Sequence, residues 1–163
     1  MAMRGDESRL QGFVVKPGEG RTIEIPGVSE VTTVKAAGVD TGGSISFHEE
    51  WHGPDDTGVP RHFHRHLDEM FYVLEGNMRF LVGEEEMVAE PGAFLYIPRG
   101  TIHAWRPTGT APVRQLIAFL PGGFEGYLDE MQTLPTPQAD PEAWRELGRK
   151  WDVEVVGPPL ENE

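Results

Sequence analysis

The chain has 163 residues, a length typical of one domain with a sizeable buried core. Its formal net charge of −13 argues against nucleic acid and anionic membranes as partners, because both repel an acidic surface. The chain contains no cysteine, which excludes disulfides and thiolate metal sites, so any bound metal would be held by histidine and carboxylate side chains.

The N-terminal segment is polar and charged, and we expect residues 1–11 to be flexible. This segment has no apolar centre and is unlike a secretory signal. No apolar run further along the chain is long enough to cross a membrane, so the sequence predicts a cytoplasmic protein with no membrane contact.

The sequence predicts an all-β domain over residues 12–121. Short apolar and β-branched runs are separated by turn residues drawn from the 20 glycines and 14 prolines, which is typical of a sandwich or barrel. The predicted strands cover residues 13–15, 22–25, 31–34, 44–51, 70–74, 78–82, 87–88, 93–97, 102–106 and 113–120.

The run at residues 44–51 alternates cleanly between two faces. Phe47 and Trp51 share one face, and His48 and Glu50 share the other. We expect His48 and the neighbouring His52 to occupy surface or rim positions rather than a catalytic site.

The pattern changes to helical after Pro121, and residues 122–163 are predicted to form a helical extension and tail. Asp140 followed by Pro141 predicts an N-cap and the first position of a helix. Its apolar stripe, which includes Trp144, favours packing on the outside of the barrel, with a lid over the barrel mouth as the alternative.

Two separate stretches carry residues with metal-binding chemistry. His62 and His64 are two apart, so both can point to one face of a strand, and Glu69 opens the next strand. His103 lies on a later strand. Three imidazoles and one carboxylate suit a divalent first-row transition metal with positions left open. His66 is expected to face solvent and is the one candidate for a replacement ligand.

The spacing of these residues resembles the two conserved motifs of the cupin superfamily. The first motif matches His62, His64, four residues, Glu69, six residues and Gly76, and the second matches Gly92, Pro98, Gly100 and His103. There are two departures: Gly58 precedes His62 by three residues rather than five, and Pro107 replaces the closing asparagine. The resemblance implies a jelly-roll (double-stranded β-helix) barrel, with two short C-terminal helices packed outside it. It also implies a metal held by His62, His64, Glu69 and His103.

Over most of its length the chain is also similar to bacterial quercetinase-type monocupins, notably at residues 53–69, 91–98, 121–125 and 151–159. That family opens the ring of a flavonol such as quercetin with O₂. The resemblance implies an Fe, Mn, Ni, Co, Cu or Zn ion and a double role for Glu69, as the fourth ligand and as the base. The substrate pocket would be lined by Phe71, Val73, Phe80 and Trp105.

Other activities fit the same fold, because fold alone does not specify the reaction. One alternative is an O₂-independent lyase, isomerase or polyketide cyclase in which the metal acts as a Lewis acid. Another is a non-enzymatic protein that binds a small molecule. The resemblance further implies a homodimer, in which strands from residues 12–39 could pair across the interface.

Overall fold

The structure is a computed structural model that describes residues 10–137 and 139–161. Most of the segment predicted to be flexible, residues 1–9, lies outside this range. The strands are β1 (Arg21–Glu24), β2 (Glu30–Ala36), β3 (Ser46–His52), β4 (His62–Phe63), β5 (Asp68–Glu75), β6 (Asn77–Val82), β7 (Glu85–Ala89), β8 (Phe94–Ile97), β9 (His103–Thr108), β10 (Val113–Leu120) and β11 (Glu154–Val155). The helices are α1 (Glu125–Met131) and α2 (Pro141–Lys150), with a short 3-10 helix at Gly38–Thr41.

The strands form two antiparallel sheets. The six-stranded sheet has the order β1-β2-β3-β10-β5-β8, and the five-stranded sheet has the order β11-β4-β9-β6-β7. Strands that are distant in sequence are therefore neighbours, as β3 and β10 are, and consecutive strands such as β5 and β6 belong to different sheets. This connectivity confirms the expected jelly-roll class and brings residues of both motifs into one interior.

Period-two alternation places the core between the sheets. On β5 the side chains of Glu69, Phe71 and Val73 are buried, whereas the intervening Tyr72 is 42% exposed. Phe80 on β6 and Ile117 on β10 complete the centre of the apolar core. A polar residue, Glu69, thus stands in the same inward row as the core residues.

Two expectations for the N-terminal half were wrong. The run at residues 13–15 forms no strand. His48 and His52 are not at the surface, because they are 0% and 1% exposed respectively. The alternation on β3 had shown which residues share a face but not which face points inward, and the inward face is the polar one.

Both predicted helices are present; they contact each other, and α2 contacts β11. Asp140 caps α2 by accepting the Ala143 backbone N–H at 3.1 Å, with Pro141 at the first helical position. Leu128 of α1 joins a small apolar cluster with Ile23, Ile25 and Val34 of β2. Within the described ranges, neither helix has the length and apolar character needed to cross a bilayer.

Candidate metal centre

Three histidines predicted to act as ligands converge between the two sheets. His62 on β4 pairs directly with His103 on β9, which brings their ring centroids to 4.2 Å. His64 follows β4, and its ring lies 5.0 Å from that of His62. Glu69 reaches the same point from β5 in the opposite sheet. All four side chains are buried, and their candidate ligand atoms lie within 4.8 Å of one another.

Each imidazole is oriented by a backbone carbonyl. The Nδ1 atoms of His62, His64 and His103 lie 2.9, 2.7 and 2.8 Å from the carbonyl oxygens of Pro60, Asp152 and Thr101. A carbonyl can only accept, so each Nδ1 carries the proton and each Nε2 presents a lone pair. This is how proteins usually fix the tautomer of a metal-binding histidine.

The Nε2 atoms face the carboxylate of Glu69. His64 Nε2 lies 2.6 Å from Glu69 Oε1, and His103 Nε2 lies 3.4 Å from Glu69 Oε2. These are contacts between acceptors, which are unfavourable unless a cation lies between them. Among the described residues, His64 Nε2, His103 Nε2 and Glu69 Oε2 have no hydrogen-bond partner. The donor set therefore fits a divalent transition metal.

The electrostatics keep His62 and Glu69 in the protonation states that bind metals. Burial, assisted by the nearby His103, lowers the pKa of His62 to about 3, so its ring stays neutral. Burial alone would raise the pKa of Glu69, but the adjacent imidazoles of His103 and His64 hold it below its ordinary value. A neutral imidazole and an ionised carboxylate are the forms that bind metals.

The cluster opens into a cavity of about 480 Å³, a volume typical of small-molecule sites. His62, Glu69 and Trp105 contribute to its wall. The rest of the wall is largely apolar and comes from strands, loops and both helices, including Ile25, Val28, Phe119, Phe124, Tyr127, Leu128, Met131 and Trp144. Helix α2 therefore borders the cavity through Trp144.

The predicted pocket residues separate into two groups. Trp105 lines the cavity and stacks on His103, with ring planes 6° apart. Phe71, Val73 and Phe80 are completely buried in the core and do not contribute to the cavity wall. The residues that do line it, such as Phe124 and Tyr127 of the C-terminal extension, had been assigned only a helical pattern in the sequence.

The C-terminal segment also positions a histidine. Asp152 adopts a positive φ of 61°, and its carbonyl accepts the Nδ1–H of His64. The Asp152 carboxylate accepts the backbone N–H groups of Arg65 and His66, each at 2.8 Å. His66 itself lies at the surface, with its side chain 81% exposed. No spacing in the sequence signalled the contact between His64 and Asp152, because their proximity depends on the return of the chain past α2.

A second group of polar side chains, missed by the sequence analysis, lies on another part of the cavity wall. Glu30, Glu50 and Asp56 line the cavity, and His52 lies among them. Gln115 donates from Nε2 to Glu50 at 3.0 Å. The polar period-two pattern of β3 was the available signal, and the four-residue spacing of His52 and Asp56 was a further one.

Comparison with known proteins identifies the domain. Residues 50–119 match the family described as Cupin domain. The chain is 32% identical over 75 residues to quercetin 2,3-dioxygenase of Bacillus subtilis (strain 168), a match that covers 46% of this chain and 22% of that protein. The chain thus corresponds to only about a fifth of the length of this relative.

Solved structures share the fold at low sequence identity. A predicted oxalate decarboxylase from Thermotoga maritima has a TM-score of 0.61 and 17% identity, covering 67% of this chain and 99% of that one. The polyketide cyclase RemF from Streptomyces resistomycificus has a TM-score of 0.58 and 21% identity, covering 68% and 80%. Residues 50–119 therefore match a cupin domain, and these solved structures share the jelly-roll fold of this chain.

Proposed function

We propose that this protein is a metal-dependent dioxygenase acting on an aromatic, flavonol-like small molecule. His62, His64, Glu69 and His103 would hold one divalent first-row transition metal. One observation carries the proposal: three oriented imidazoles and a carboxylate converge, and His62 and Glu69 of this group border a largely apolar, aromatic-lined cavity of about 480 Å³. The partial match to a quercetin 2,3-dioxygenase supports the same reaction class.

Glu69 is the residue best placed to move a proton. It borders the cavity, and its Oε2 atom has no hydrogen-bond partner in the described part of the chain. The lowered pKa of Glu69 keeps it ionised at neutral pH, so Oε2 would accept the proton of a substrate hydroxyl. A bound divalent metal would act as a Lewis acid that stabilises the resulting substrate anion and supports its reaction with O₂.

The aromatic wall would bind and orient the substrate. Trp105 is held in place by stacking on His103, and Phe124 stacks on Phe119 with centroids 4.4 Å apart. Flat substrate rings would pack against these faces, which exclude water from the reacting atoms.

The test is an assay of protein loaded in turn with Fe, Mn, Ni, Co, Cu and Zn. With flavonols we expect O₂ uptake and release of carbon monoxide, and Glu69→Gln should lower the rate about 10²- to 10⁴-fold because the base is lost. Glu84→Gln, the same change at an exposed position, should leave the rate unchanged. Absence of both O₂ uptake and carbon monoxide with every metal would reject the proposal.

A second candidate is an O₂-independent isomerase, lyase or polyketide cyclase. It is favoured by the carboxylates and imidazole at Glu50, His52 and Asp56, since such reactions need acid–base groups away from the metal. Product formation under nitrogen would select this candidate. A non-enzymatic binder would instead retain ligand affinity in Glu69→Gln and form no product in any atmosphere.

A further inference from the structure

Glu30, His52 and Asp56 form a second cluster of potential metal ligands, called the second cluster below. Glu30 on β2 lies directly opposite His52 on β3 in the sheet register. Asp56 is brought back to His52 by a turn in which its N–H donates to the Gly53 carbonyl at 3.1 Å. Glu30 and Asp56 line the same cavity as the His62–Glu69 centre. None of the three belongs to either conserved motif.

In the second cluster, the carboxylates of Glu30 and Asp56 both face the Nδ1 atom of His52. His52 Nδ1 lies 2.9 Å from Asp56 Oδ2 and 3.8 Å from Glu30 Oε2. Candidate ligand atoms of all three residues lie within 4.8 Å of one another. Metal–ligand bonds of about 2.1 Å place neighbouring ligand atoms roughly 3 to 3.5 Å apart, which small side-chain shifts would satisfy here.

The charge of the second cluster is not balanced by its neighbours. Glu30 and Asp56, together with the adjacent Glu50, place three largely buried carboxylates around a single imidazole. Over residues 10–137 and 139–161, His52 is the one cationic partner of these carboxylates.

Neighbouring polar groups also suit a bound cation. Glu50 Oε2 and Gln115 Nε2 lie 3.4 and 3.2 Å from His52 Nε2, so both hold the ring from that side while Nδ1 faces Asp56 and Glu30. His48, on the same inward face of β3, is completely buried, and in the described part of the chain neither of its ring nitrogens has a hydrogen-bond partner. Among the described residues, the His48 ring nitrogens and Gln115 Oε1 are therefore buried polar atoms of this face that lack a partner.

We propose that Glu30, His52 and Asp56 form a second divalent-cation site in the cavity, with Glu50 positioning His52. One imidazole and two carboxylates suit Mn²⁺ or Zn²⁺, with remaining positions open to water or to oxygen atoms of a cavity ligand. The cavity would then hold two cations, one at each cluster.

The test is cation stoichiometry, measured by equilibrium dialysis of metal-free protein against Mn²⁺ followed by metal analysis. We expect two Mn²⁺ per chain in the wild type and one in His52→Ala/Asp56→Asn. The double variant His62→Ala/His103→Ala should also retain one. Asp55→Asn, which removes an adjacent carboxylate from the same cavity wall, should keep both. Glu50→Gln should weaken one of the two sites about 10- to 100-fold.

Two results would overturn the proposal: a single Mn²⁺ per chain that disappears in His62→Ala/His103→Ala, or two Mn²⁺ that both persist in His52→Ala/Asp56→Asn. If that last variant fails to fold by circular dichroism, the milder Asp56→Asn decides, with retention of full affinity at both sites counting against the proposal. The readout is independent of O₂ uptake, so its failure is distinct from failure of the proposed dioxygenase activity.

Discussion

At the scale of single residues, Glu125 shows how one buried carboxylate fastens the C-terminal extension to the barrel. It accepts the Gly38 backbone N–H at 2.8 Å and the hydroxyl hydrogen of Ser46 at the start of β3. Ser46 Oγ in turn accepts the Gly123 N–H. Burial opposes ionisation, but these hydrogen bonds hold the pKa of Glu125 below its ordinary value of 4.5. The ionised form therefore stabilises the fold.

We predict that Glu125→Gln lowers the free energy of unfolding by about 1–3 kcal/mol near neutral pH, because charge-assisted hydrogen bonds are lost. Since the folded-state pKa is lowered, this contribution is present above pH 4.5 and disappears as the pH falls through the folded value. Urea unfolding at several pH values measures the difference. The same substitution at exposed Glu146 should cost almost nothing, and a pH-independent loss at Glu125 would contradict the argument.

The four candidate metal ligands could be proposed from sequence because they fall in two short motifs with fixed spacing. Glu30, Glu50 and Gln115 could not, since only the pairing of β2, β3 and β10 brings them together. A local sequence pattern does not reveal how strands that are distant in sequence pair with one another. The predicted pocket residues show the same limit of a local pattern. Phe71 shares a face with Glu69, but the cavity wall beyond the cluster is formed by a later part of the chain.

At the scale of elements, two hairpin turns show how glycine permits close packing. Gly76 joins β5 to β6 with a φ of 73°, and a Cβ atom there would lie 2.4 Å from the Pro112 carbonyl oxygen. Gly83 joins β6 to β7 with a φ of 63°, and a Cβ atom there would meet nothing within 4 Å. Both turns need the left-handed conformation, but only the first is also pressed against another strand connection.

We predict that Gly83→Ala costs about 1–2 kcal/mol of unfolding free energy, the usual penalty for a left-handed alanine. Gly76→Ala should cost clearly more, because the backbone contact with Pro112 adds to the same penalty. Chemical denaturation of the two variants side by side provides the measurement. Equal losses of unfolding free energy in the two variants would show that the close approach of Gly76 to Pro112 does not affect stability.

The strands themselves were predicted well where flanking turns were strong, and β10 begins and ends where the sequence placed it. The orientation of β3 was beyond such reasoning. Alternation assigns residues to faces, and the usual assumption that the apolar face turns inward fails here because the interior includes a polar wall.

At the scale of the whole molecule, the candidate metal centre connects the two sheets. His62 and His103 belong to the five-stranded sheet, whereas Glu69 belongs to the six-stranded one. A bound cation would therefore crosslink the sheets and couple binding to global stability. The domain boundary at residue 121 and the homodimer stay predictions at this scale.

We predict that a first-row divalent metal raises the melting temperature of the metal-free protein by about 5–10 °C at 100-fold excess over Kd, equivalent to about 2.7 kcal/mol. In His103→Ala the metal-dependent rise should be clearly smaller, because this centre loses a ligand while the second cluster is unchanged. Differential scanning calorimetry measures both. An equal metal-dependent rise in the wild type and in His103→Ala would exclude the His62–His103 pair as the stabilising site.

The hydrogen bond from His64 to the Asp152 carbonyl has a consequence for how the protein can be subdivided. The match to the cupin domain ends at residue 119. The carbonyl group that orients His64 belongs to Asp152, which follows α2. An excised fragment covering only residues 50–119 would retain His62, His64, Glu69 and His103 but lose the carbonyl group that orients His64. The segment that matches the cupin domain is therefore shorter than the segment needed to orient the candidate metal ligands.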